Sequence, residues 1–281
     1  MIIFKKVSAI SLYLKSLKLK GKGIGFVPTM GALHIGHLSL IEASKQKGNV
    51  TIASIFVNPT QFNDKKDFEL YPITTEKDIA MLANAGCDIL FIPSVDEMYP
   101  FDHRAEYYEL GALETILEGK FRNGHFQGVC QIVHRLLSIV EPNQLFLGQK
   151  DFQQCMVVSK MIQLKKLEVS LIICPTLREA SGLAFSSRNM RLTSEAKQKA
   201  TAIYQSMVFA KDNVGVIQTS TIENHIIDKL TQSGFSAIDY VSICEADTLL
   251  PLKTVEASKS IVILIAAFLD NVRLIDNLIL S

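Results

Sequence analysis

The first two thirds of the chain alternate between short continuous apolar runs and longer stretches with an apolar residue at every third or fourth position. The continuous runs predict β-strands at 2–4, 22–27, 50–57, 88–92, 145–147 and 169–173. Helical spacing predicts helices at 7–19, after residue 37, at 75–85, at 129–140 and from 151 to about 164. Because strands and helices alternate, we expect a parallel sheet with helices on both faces.

The pattern changes after Arg191. Two stretches of helical spacing are followed there by two apolar runs, at 194–210, 221–230, 240–244 and 261–268. This order is typical of a separate α+β unit. We therefore predict a Rossmann-like α/β domain at 1–175, followed by a smaller α+β C-terminal domain at 176–281.

Composition narrows the class of protein. The 29 Lys and Arg residues balance 28 Asp and Glu residues, so the net charge is +1 and we expect no nucleic-acid partner. Five scattered cysteines, with no Cys-x-x-Cys, support neither a disulfide framework nor a zinc ribbon. The longest apolar run, 261–269, is about half the length of a membrane helix. We expect a cytoplasmic protein without a membrane partner.

The segment 25–37 connects a predicted strand to a helix and contains several residues with special backbone properties. Pro28 has no backbone N–H and is expected to end the strand. Gly31 is expected to leave backbone amides open to close approach by a ligand. The start of the next helix adds unpaired amides and the positive end of the helix dipole, which favour phosphate.

His34 and His37 are three residues apart, so both rings are expected on one side of the first helical turn. Gly36 between them leaves room for a flat ring against the backbone. The pair predicts a nucleotide site in which two imidazoles face a phosphorus atom. The alternative is a capping or surface role. A zinc helix would need a spacing of four with a glutamate, so we expect no protein-bound metal here.

Two further polar loops follow predicted strands. Asn58 and Gln61 carry neutral amides that suit a polar hydroxy acid, although Asn-Pro is also an ordinary turn. In the second loop, Lys150 can bind phosphate, Asp151 can accept from ribose hydroxyls, and Gln154 lies one helical turn further on. The alternative is that Asp151 caps the helix and Lys150 is solvated.

A fourth polar stretch lies in the connection between the two predicted domains. Ser186, Ser187 and Arg188 provide two hydroxyls and a guanidinium, a combination that can grip phosphates. An exposed interdomain loop is the alternative. Gly182, a few residues earlier, suggests that this connection acts as a mobile lid.

His-x-Gly-His after a strand resembles the nucleotidyltransferase superfamily, whose members attack the α-phosphate of a nucleoside triphosphate. The whole chain is similar to the pantoate–β-alanine ligase family. The resemblance rests on five motifs: Pro-Thr-Met-Gly-Ala-Leu-His-x-Gly-His, Phe-Val-Asn-Pro-x-Gln-Phe, Gly-x-Lys-Asp-Phe-Gln-Gln, Ser-Ser-Arg-Asn, and Arg273-Leu-Ile-Asp-Asn277. It implies that ATP activates pantoate as an adenylate and that β-alanine then displaces AMP. It also implies Mg²⁺ as the partner of ATP, and a homodimer.

The resemblance also implies roles for individual residues. Catalysis is assigned to His34, His37 and Lys150. ATP binding is assigned to Met30, Gly31, Ala32, Leu33, His34, Ile35, Gly36, His37, Gly148, Gln149, Lys150, Asp151, Leu177, Phe185, Ser186, Ser187 and Arg188. Pantoate is assigned to Asn58, Gln61 and Gln154, and β-alanine to Gln61. Weaker matches are Glu118, Arg122 and His125, to family residues near the phosphates and pantoate, and Tyr71, to a gating tyrosine.

Three positions depart from the family pattern. Gln149 replaces a glutamate, Ser181 an aspartate, and Phe185 a methionine or leucine. None of these changes removes a group assigned to chemistry. Two other functions stay open from the sequence: a nucleotidyltransferase that leaves the nucleotide on its product, and a nucleotide sensor without turnover.

Overall fold

The computed structural model describes residues 1–62, 68–69, 71–101, 104–255 and 260–281. The chain divides into two compact units. The first contains residues 1–148 and 154–175, and the second contains 149–153 and 176–281. The short segment 149–153 therefore groups with the C-terminal part of the chain.

A six-stranded sheet with only parallel pairings forms the centre of the first unit. Its strand order is β1-β4-β3-β2-β5-β6. The strands are β1 Ile2–Phe4, β2 Ile24–Thr29, β3 Val50–Ile55, β4 Ile89–Phe91, β5 Gln144–Gly148 and β6 Ser170–Cys174. Each predicted strand is present, which confirms the expected parallel sheet. The carboxyl ends of all six strands lie along one edge, where ligands bind in such sheets.

Helices cover both faces of this sheet. They are α1 Val7–Leu19, α2 Ile35–Gln46, α3 Thr75–Asn84, α4 Val95–Met98, α5 Glu118–Phe121, α6 His125–Val140 and α7 Phe152–Lys165. Successive strand residues face opposite sides, so Phe26 packs among residues of α1, α6 and α7 while Val27 packs among residues of α2 and α3. Within the described ranges, no helix has both the length and the apolar character required to span a lipid bilayer.

Pro28 does not end its strand, contrary to the prediction. It pairs with Ser54 of β3 inside β2, and Thr29 continues the ladder. Alternate residues of β2 face β3 and β5, and Pro28 faces β5, where pairing ends at Phe26. Its missing N–H therefore removes no ladder bond, which is the situation in which a strand tolerates proline.

Other boundaries also differ from the predictions. The strand expected at 50–57 ends at Ile55, and the helix expected at 129–140 begins at His125.

The second unit combines two helices with a three-stranded antiparallel sheet in the order β7-β8-β9. Its elements are α8 Ser194–Asn213, α9 Thr219–Gln232, β7 Ala237–Glu245, β8 Ile261–Leu269 and β9 Val272–Ile279. This confirms the expected α+β character, although β9 was not predicted. Asp270 and Asn271, both with positive φ, form the two-residue turn between β8 and β9. An Asp-Asn pair after an apolar run is the signal that could have revealed this hairpin.

Candidate active site

The turn from β2 to α2 has a backbone shape that is fixed by a residue of another helix. Gly31 and Ala32 have φ values of 81° and 49°, both in the left-handed region. The carboxylate of Asp78 in α3 accepts hydrogen bonds from the backbone N–H groups of Ala32 (2.9 Å) and Leu33 (2.8 Å). Charge-assisted bonds of this kind are roughly twice as strong as neutral ones. Asp78 therefore holds the turn that leads to the histidine pair.

Asp78 is 1% exposed, and its carboxylate also accepts from the Thr74 hydroxyl at 3.0 Å. The Gly31 N–H donates to the Thr29 hydroxyl at 3.2 Å. The amides at 31–33 are thus bonded within the protein, whereas the sequence suggested that they would be open to a ligand. Sequence reasoning missed Asp78, although its position four residues before the buried Leu82 places it on the apolar face of α3.

His34 and His37 form a close ring pair at the start of α2. Their ring centroids lie 4.0 Å apart and their planes are tilted by 35°. His34 is the residue that precedes the helix, with φ −141° and ψ 173°, so it lies just outside the first turn rather than in it. Both rings are half-buried. The structure therefore brings the two imidazoles together as predicted.

The hydrogen bond between these residues selects a tautomer for His37. The backbone N–H of His34 donates to Nδ1 of His37 at 3.3 Å. A nitrogen that accepts carries no proton, so the neutral ring of His37 carries its proton on Nε2. His37 thus closes the N-terminus of the helix and also presents an N–H donor, which combines the capping alternative with the catalytic one.

The loop after β3 is anchored through Asn58. This side chain is 1% exposed; its Nδ2 donates to the carbonyl of Gly128 and to Oε1 of Gln61, both at 3.2 Å. Its Oδ1 accepts from the hydroxyl of Tyr99 at 2.7 Å. Burial raises the pKa of Tyr99, so the phenol stays protonated as the donor. Asn58 therefore orients Gln61 rather than facing a ligand with its full amide.

Gln61 connects this loop to the turn that carries the histidines. It closes the short 3₁₀ turn Pro59–Gln61, and its Nε2 donates to the sulfur of Met30 at 2.8 Å. Of the residues assigned from sequence, Met30 and Gln61 are therefore brought into direct contact. Tyr71, a weaker candidate, packs edge-on against Phe62 with ring centroids 5.7 Å apart.

Helix α6 supports the same loop from the other side. Nδ1 of His125 donates to the carbonyl of Gln61 at 2.7 Å, since a carbonyl can only accept. Gly128 allows close packing, because a Cβ there would clash with the carbonyl oxygen of Thr60. Tyr99 and Gly128 were not singled out from the sequence, because their partners are distant along the chain.

The other assigned residues of the first unit lie in further elements. Gly148 ends β5, and Gln154 lies near the start of α7. Glu118 and Arg122 form an ion pair at 3.7 Å in which the carboxylate is largely buried. Their roles in binding stay predictions.

The second unit holds the Lys150 turn. Gln149, Lys150 and Asp151 form a 3₁₀ turn directly before α7. Nζ of Lys150 lies 3.9 Å from Oδ1 of Asp151, and the lysine side chain is 17% exposed. Asn277 of β9 contacts this turn, a partner that the sequence alone did not indicate.

The segment 177–191 forms a reversed turn followed by a 3₁₀ turn, Ser187–Arg191. The N–H of Phe185 donates to the carbonyl of Leu177 at 3.1 Å. Gly182 has φ +90°, and a Cβ there would clash with the ring of Tyr204. This glycine is thus required by close packing, and the lid motion inferred from it stays a prediction. Ser181, where the family usually has aspartate, accepts from the N–H of Leu183 as an aspartate oxygen also would.

Ser186 precedes the 3₁₀ turn and accepts from the N–H of Arg188 at 3.3 Å. A hydroxyl that accepts through its oxygen still has its O–H to donate. The second unit therefore contains these residues of the predicted set: Gln149, Lys150, Asp151, Leu177, Phe185, Ser186, Ser187 and Arg188.

Comparison with known proteins agrees with these features. The family model described as pantoate–beta-alanine ligase matches residues 2–279. Pantothenate synthetase of Cytophaga hutchinsonii is 41% identical over 282 residues, which cover 100% of this chain and 99% of that protein. Pantothenate synthetase of Moorella thermoacetica is 39% identical over 281 residues, which cover 99% of this chain and 98% of that protein.

Solved structures agree as well. Pantothenate synthetase from Thermus thermophilus has a TM-score of 0.93 at 36% identity, with both chains fully covered. Pantoate–beta-alanine ligase from Francisella tularensis, crystallised with beta-gamma ATP and beta-alanine, has a TM-score of 0.83 at 37% identity and covers 100% of this chain and 98% of its own. With a family match over almost every residue and relatives near 40% identity along the full length, this chain belongs to the pantoate–β-alanine ligase family.

Proposed function

We propose that the protein joins pantoate to β-alanine at the expense of ATP, through a pantoyl adenylate, and releases AMP and pyrophosphate. The observation that carries the proposal is the family match across residues 2–279. The Francisella tularensis relative, solved with beta-gamma ATP and beta-alanine, supports ATP and β-alanine as two of the substrates. The histidine pair at the start of α2 supplies donors that can stabilise the charge such a reaction develops on phosphate.

The reaction has two displacement steps. In the first, a carboxylate oxygen of pantoate bonds to the α-phosphorus of ATP and the bond from that phosphorus to the pyrophosphate oxygen breaks. In the second, the β-alanine nitrogen bonds to the acyl carbon, the bond from that carbon to the AMP oxygen breaks, and the amine releases a proton to solvent. AMP leaves far more readily than oxide, so activation makes the acyl transfer feasible.

His37 stabilises the first step. Negative charge builds on the non-bridging oxygens of the α-phosphate as the new bond forms. Nε2–H of His37 donates to one of these oxygens, while Nδ1 stays bonded to the His34 amide. The ring of His34, 4.0 Å away, contributes a second imidazole to the same phosphate. A donor held in place before the reaction costs no reorganisation during it.

Pantoate and β-alanine bind beside the 58–62 loop in this proposal. Gln61 holds the hydroxyl and carboxylate of pantoate and later the β-alanine. Asn58, fixed by Tyr99 and Gly128, keeps the Gln61 amide oriented. Gln154 provides a second amide for pantoate.

The remaining assigned residues bind ATP. Met30 and the turn through residues 31–36 line the ATP site. Gly148 and Asp151 hold the ribose, and Gln149 lies in the same ATP-binding turn. The backbone at Leu177 meets adenine, and the backbone at Phe185 contacts ATP. Cations and hydroxyls hold the phosphates: Lys150, Ser186, Ser187 and Arg188.

Magnesium enters this proposal as the partner of the ATP phosphates. In the part of the chain that the structure describes, no group of three or more His, Cys, Asp or Glu side chains is arranged to hold a metal ion. Mg²⁺ is satisfied by phosphate oxygens and waters with few protein ligands, so it can enter the site bound to ATP. Bound Mg²⁺ would neutralise charge on the leaving pyrophosphate.

A homodimer in the cytoplasm completes the proposal. The buried free cysteines fit a reducing compartment. Light scattering at several protein concentrations tests the assembly: a mass of twice the chain mass is expected, and a monomer at all concentrations contradicts it.

Product analysis tests the function directly. The protein is incubated with ATP, Mg²⁺ and pantoate, with and without β-alanine, and the products are identified by mass. We expect one pantoyl adenylate per enzyme without the amine, and continuous formation of AMP and pantothenate with it. α-Alanine serves as the matched control amine and should support little turnover.

Other outcomes point to the two alternatives. An adenylylated product that accumulates in solution without an amine indicates a nucleotidyltransferase. Tight ATP binding without pyrophosphate release indicates a nucleotide sensor.

A further inference from the structure

The turn that carries Lys150 is held by a residue more than a hundred positions later in the chain. Nδ2 of Asn277 in β9 donates to the carbonyl oxygens of Gln149 (2.9 Å) and Lys150 (2.8 Å). An amide nitrogen has two hydrogens, so both are used. Asn277 is 1% exposed, and its two bonds fix the backbone from which the lysine side chain extends.

The side-chain oxygen of Asn277 has its partner in the glutamine at 149. Because Nδ2 of Asn277 faces two carbonyls, its Oδ1 has a fixed direction and needs a donor. Nε2 of Gln149 provides that donor at 3.2 Å. A carboxylate at position 149 would have no hydrogen to offer, so this bond depends on the glutamine of this chain.

Asp276 and its partner Arg178 hold the backbone of Asn277 in place. Asp276 and Arg178 form a bidentate ion pair at 2.5 and 3.0 Å, with both side chains mostly buried. Asp276 also accepts from the N–H of Asn277 at 2.8 Å, and Arg178 donates to the Asn277 carbonyl at 3.2 Å. Arg178 lies at the base of the turn that leads to Ser186, so β9 connects both segments that are assigned to the phosphates.

We propose, building on the proposed function, that Asn277 is a positioning residue which sets the location of the Lys150 ammonium for the ATP phosphates, with Gln149 completing its hydrogen bonds. Asn277 acts only through the turn, and it does not touch the reacting atoms. Its removal should therefore weaken the phosphate contact of Lys150 and leave pantoate recognition unchanged.

A double-mutant cycle tests this idea through ATP binding, which does not depend on ligase turnover. Binding of a non-hydrolysable ATP analogue is measured for the parent, Asn277→Asp, Lys150→Ala and the double variant. We expect Asn277→Asp to weaken binding about tenfold when Lys150 is present and less than about twofold when it is absent, because coupled residues are non-additive. Equal losses in both backgrounds would overturn the proposal.

Two further variants separate positioning from general stability. Asp239→Asn breaks an ion pair with Arg273 on the same sheet, and it should lower the melting temperature without changing analogue binding. Gln149→Met keeps Asn277 and removes the donor to its Oδ1 without adding a charge, so it should weaken binding several-fold. If Asn277→Asp does not fold, the same cycle with Gln149→Met and Lys150→Ala decides the question.

Kinetics provide an independent readout and distinguish this proposal from the function. In pantoate-dependent ATP–pyrophosphate exchange, Asn277→Asp should change the rate or the KM for ATP while the KM for pantoate stays within about twofold. A shift confined to the pantoate KM would contradict the assignment. A parent protein without exchange would refute the ligase function, whereas the binding cycle would still report on the role of Asn277.

Discussion

Replacing Asp78 with asparagine tests whether a buried carboxylate sets the position of the histidine turn. The two carboxylate oxygens accept from different amides, at Ala32 and Leu33, and one of them also accepts from Thr74. Asparagine keeps one of these oxygens and replaces the other with a donor that faces an N–H. One charge-assisted bond is therefore lost, and one buried amide donor is left facing another donor instead of an acceptor.

The magnitude follows from these contacts. A hydrogen bond to a charged group contributes about 1.5–3 kcal/mol, and a buried donor left without an acceptor costs about 1–3 kcal/mol. These terms overlap, so we expect Asp78→Asn to lower the free energy of unfolding by about 2–4 kcal/mol. A shift of the turn by about 1 Å would also slow adenylate formation by about a hundredfold.

The assay combines urea unfolding with pantoate-dependent ATP–pyrophosphate exchange under conditions in which each variant is folded. Asp88→Asn is the matched control, because Asp88 accepts one backbone N–H, from Thr51, through a single oxygen that asparagine retains. It should lose less than about 1 kcal/mol and keep parent-level exchange. The reasoning would be refuted by parent-level stability and exchange in Asp78→Asn, or by equal losses in both variants.

Three more variants test the support of the pantoate loop and the pH response. Gly128→Ala should cost about 1–3 kcal/mol and raise the KM for pantoate, because its Cβ would clash with the Thr60 carbonyl; unchanged melting and KM would contradict this packing. Tyr99→Phe removes the donor to Asn58 and should raise the pantoate KM about tenfold with ATP KM unchanged, as measured by initial rates; an equal change in both would argue against a local role. Burial lowers the pKa of His134 below its usual 6.5, so its neutral form stabilises the fold above that pH and this stability is lost as pH falls through the folded-state pKa. His134→Gln should therefore lose less stability than the parent between about pH 7.5 and 5.5 in urea unfolding, and an equal loss would exclude this histidine as a cause.

The sequence predicts those parts of the fold that depend on local pattern. Continuous apolar runs identify the six parallel strands, since both faces of such strands are buried. The His-x-Gly-His spacing likewise identifies the imidazole pair, because residues three positions apart at the start of a helix bring their side chains together.

Other features depend on partners that are distant in the chain. The strand β9 escaped prediction because its buried polar residues, Asp276 and Asn277, interrupt the apolar pattern. Asp78 gives no sign from its own sequence context that it accepts from the turn at 32–33. The sequence also could not show that Pro28 fits inside β2, because this depends on where the pairing of β2 with β5 ends.

The central claim is that the Nε2–H of His37 stabilises charge on the α-phosphate of ATP while pantoate attacks. Pantoate-dependent exchange of labelled pyrophosphate into ATP measures this step without β-alanine. We expect exchange in the parent protein and a loss of about a hundredfold or more in His37→Ala with analogue binding largely retained. Exchange by His37→Ala at the parent rate would contradict the account.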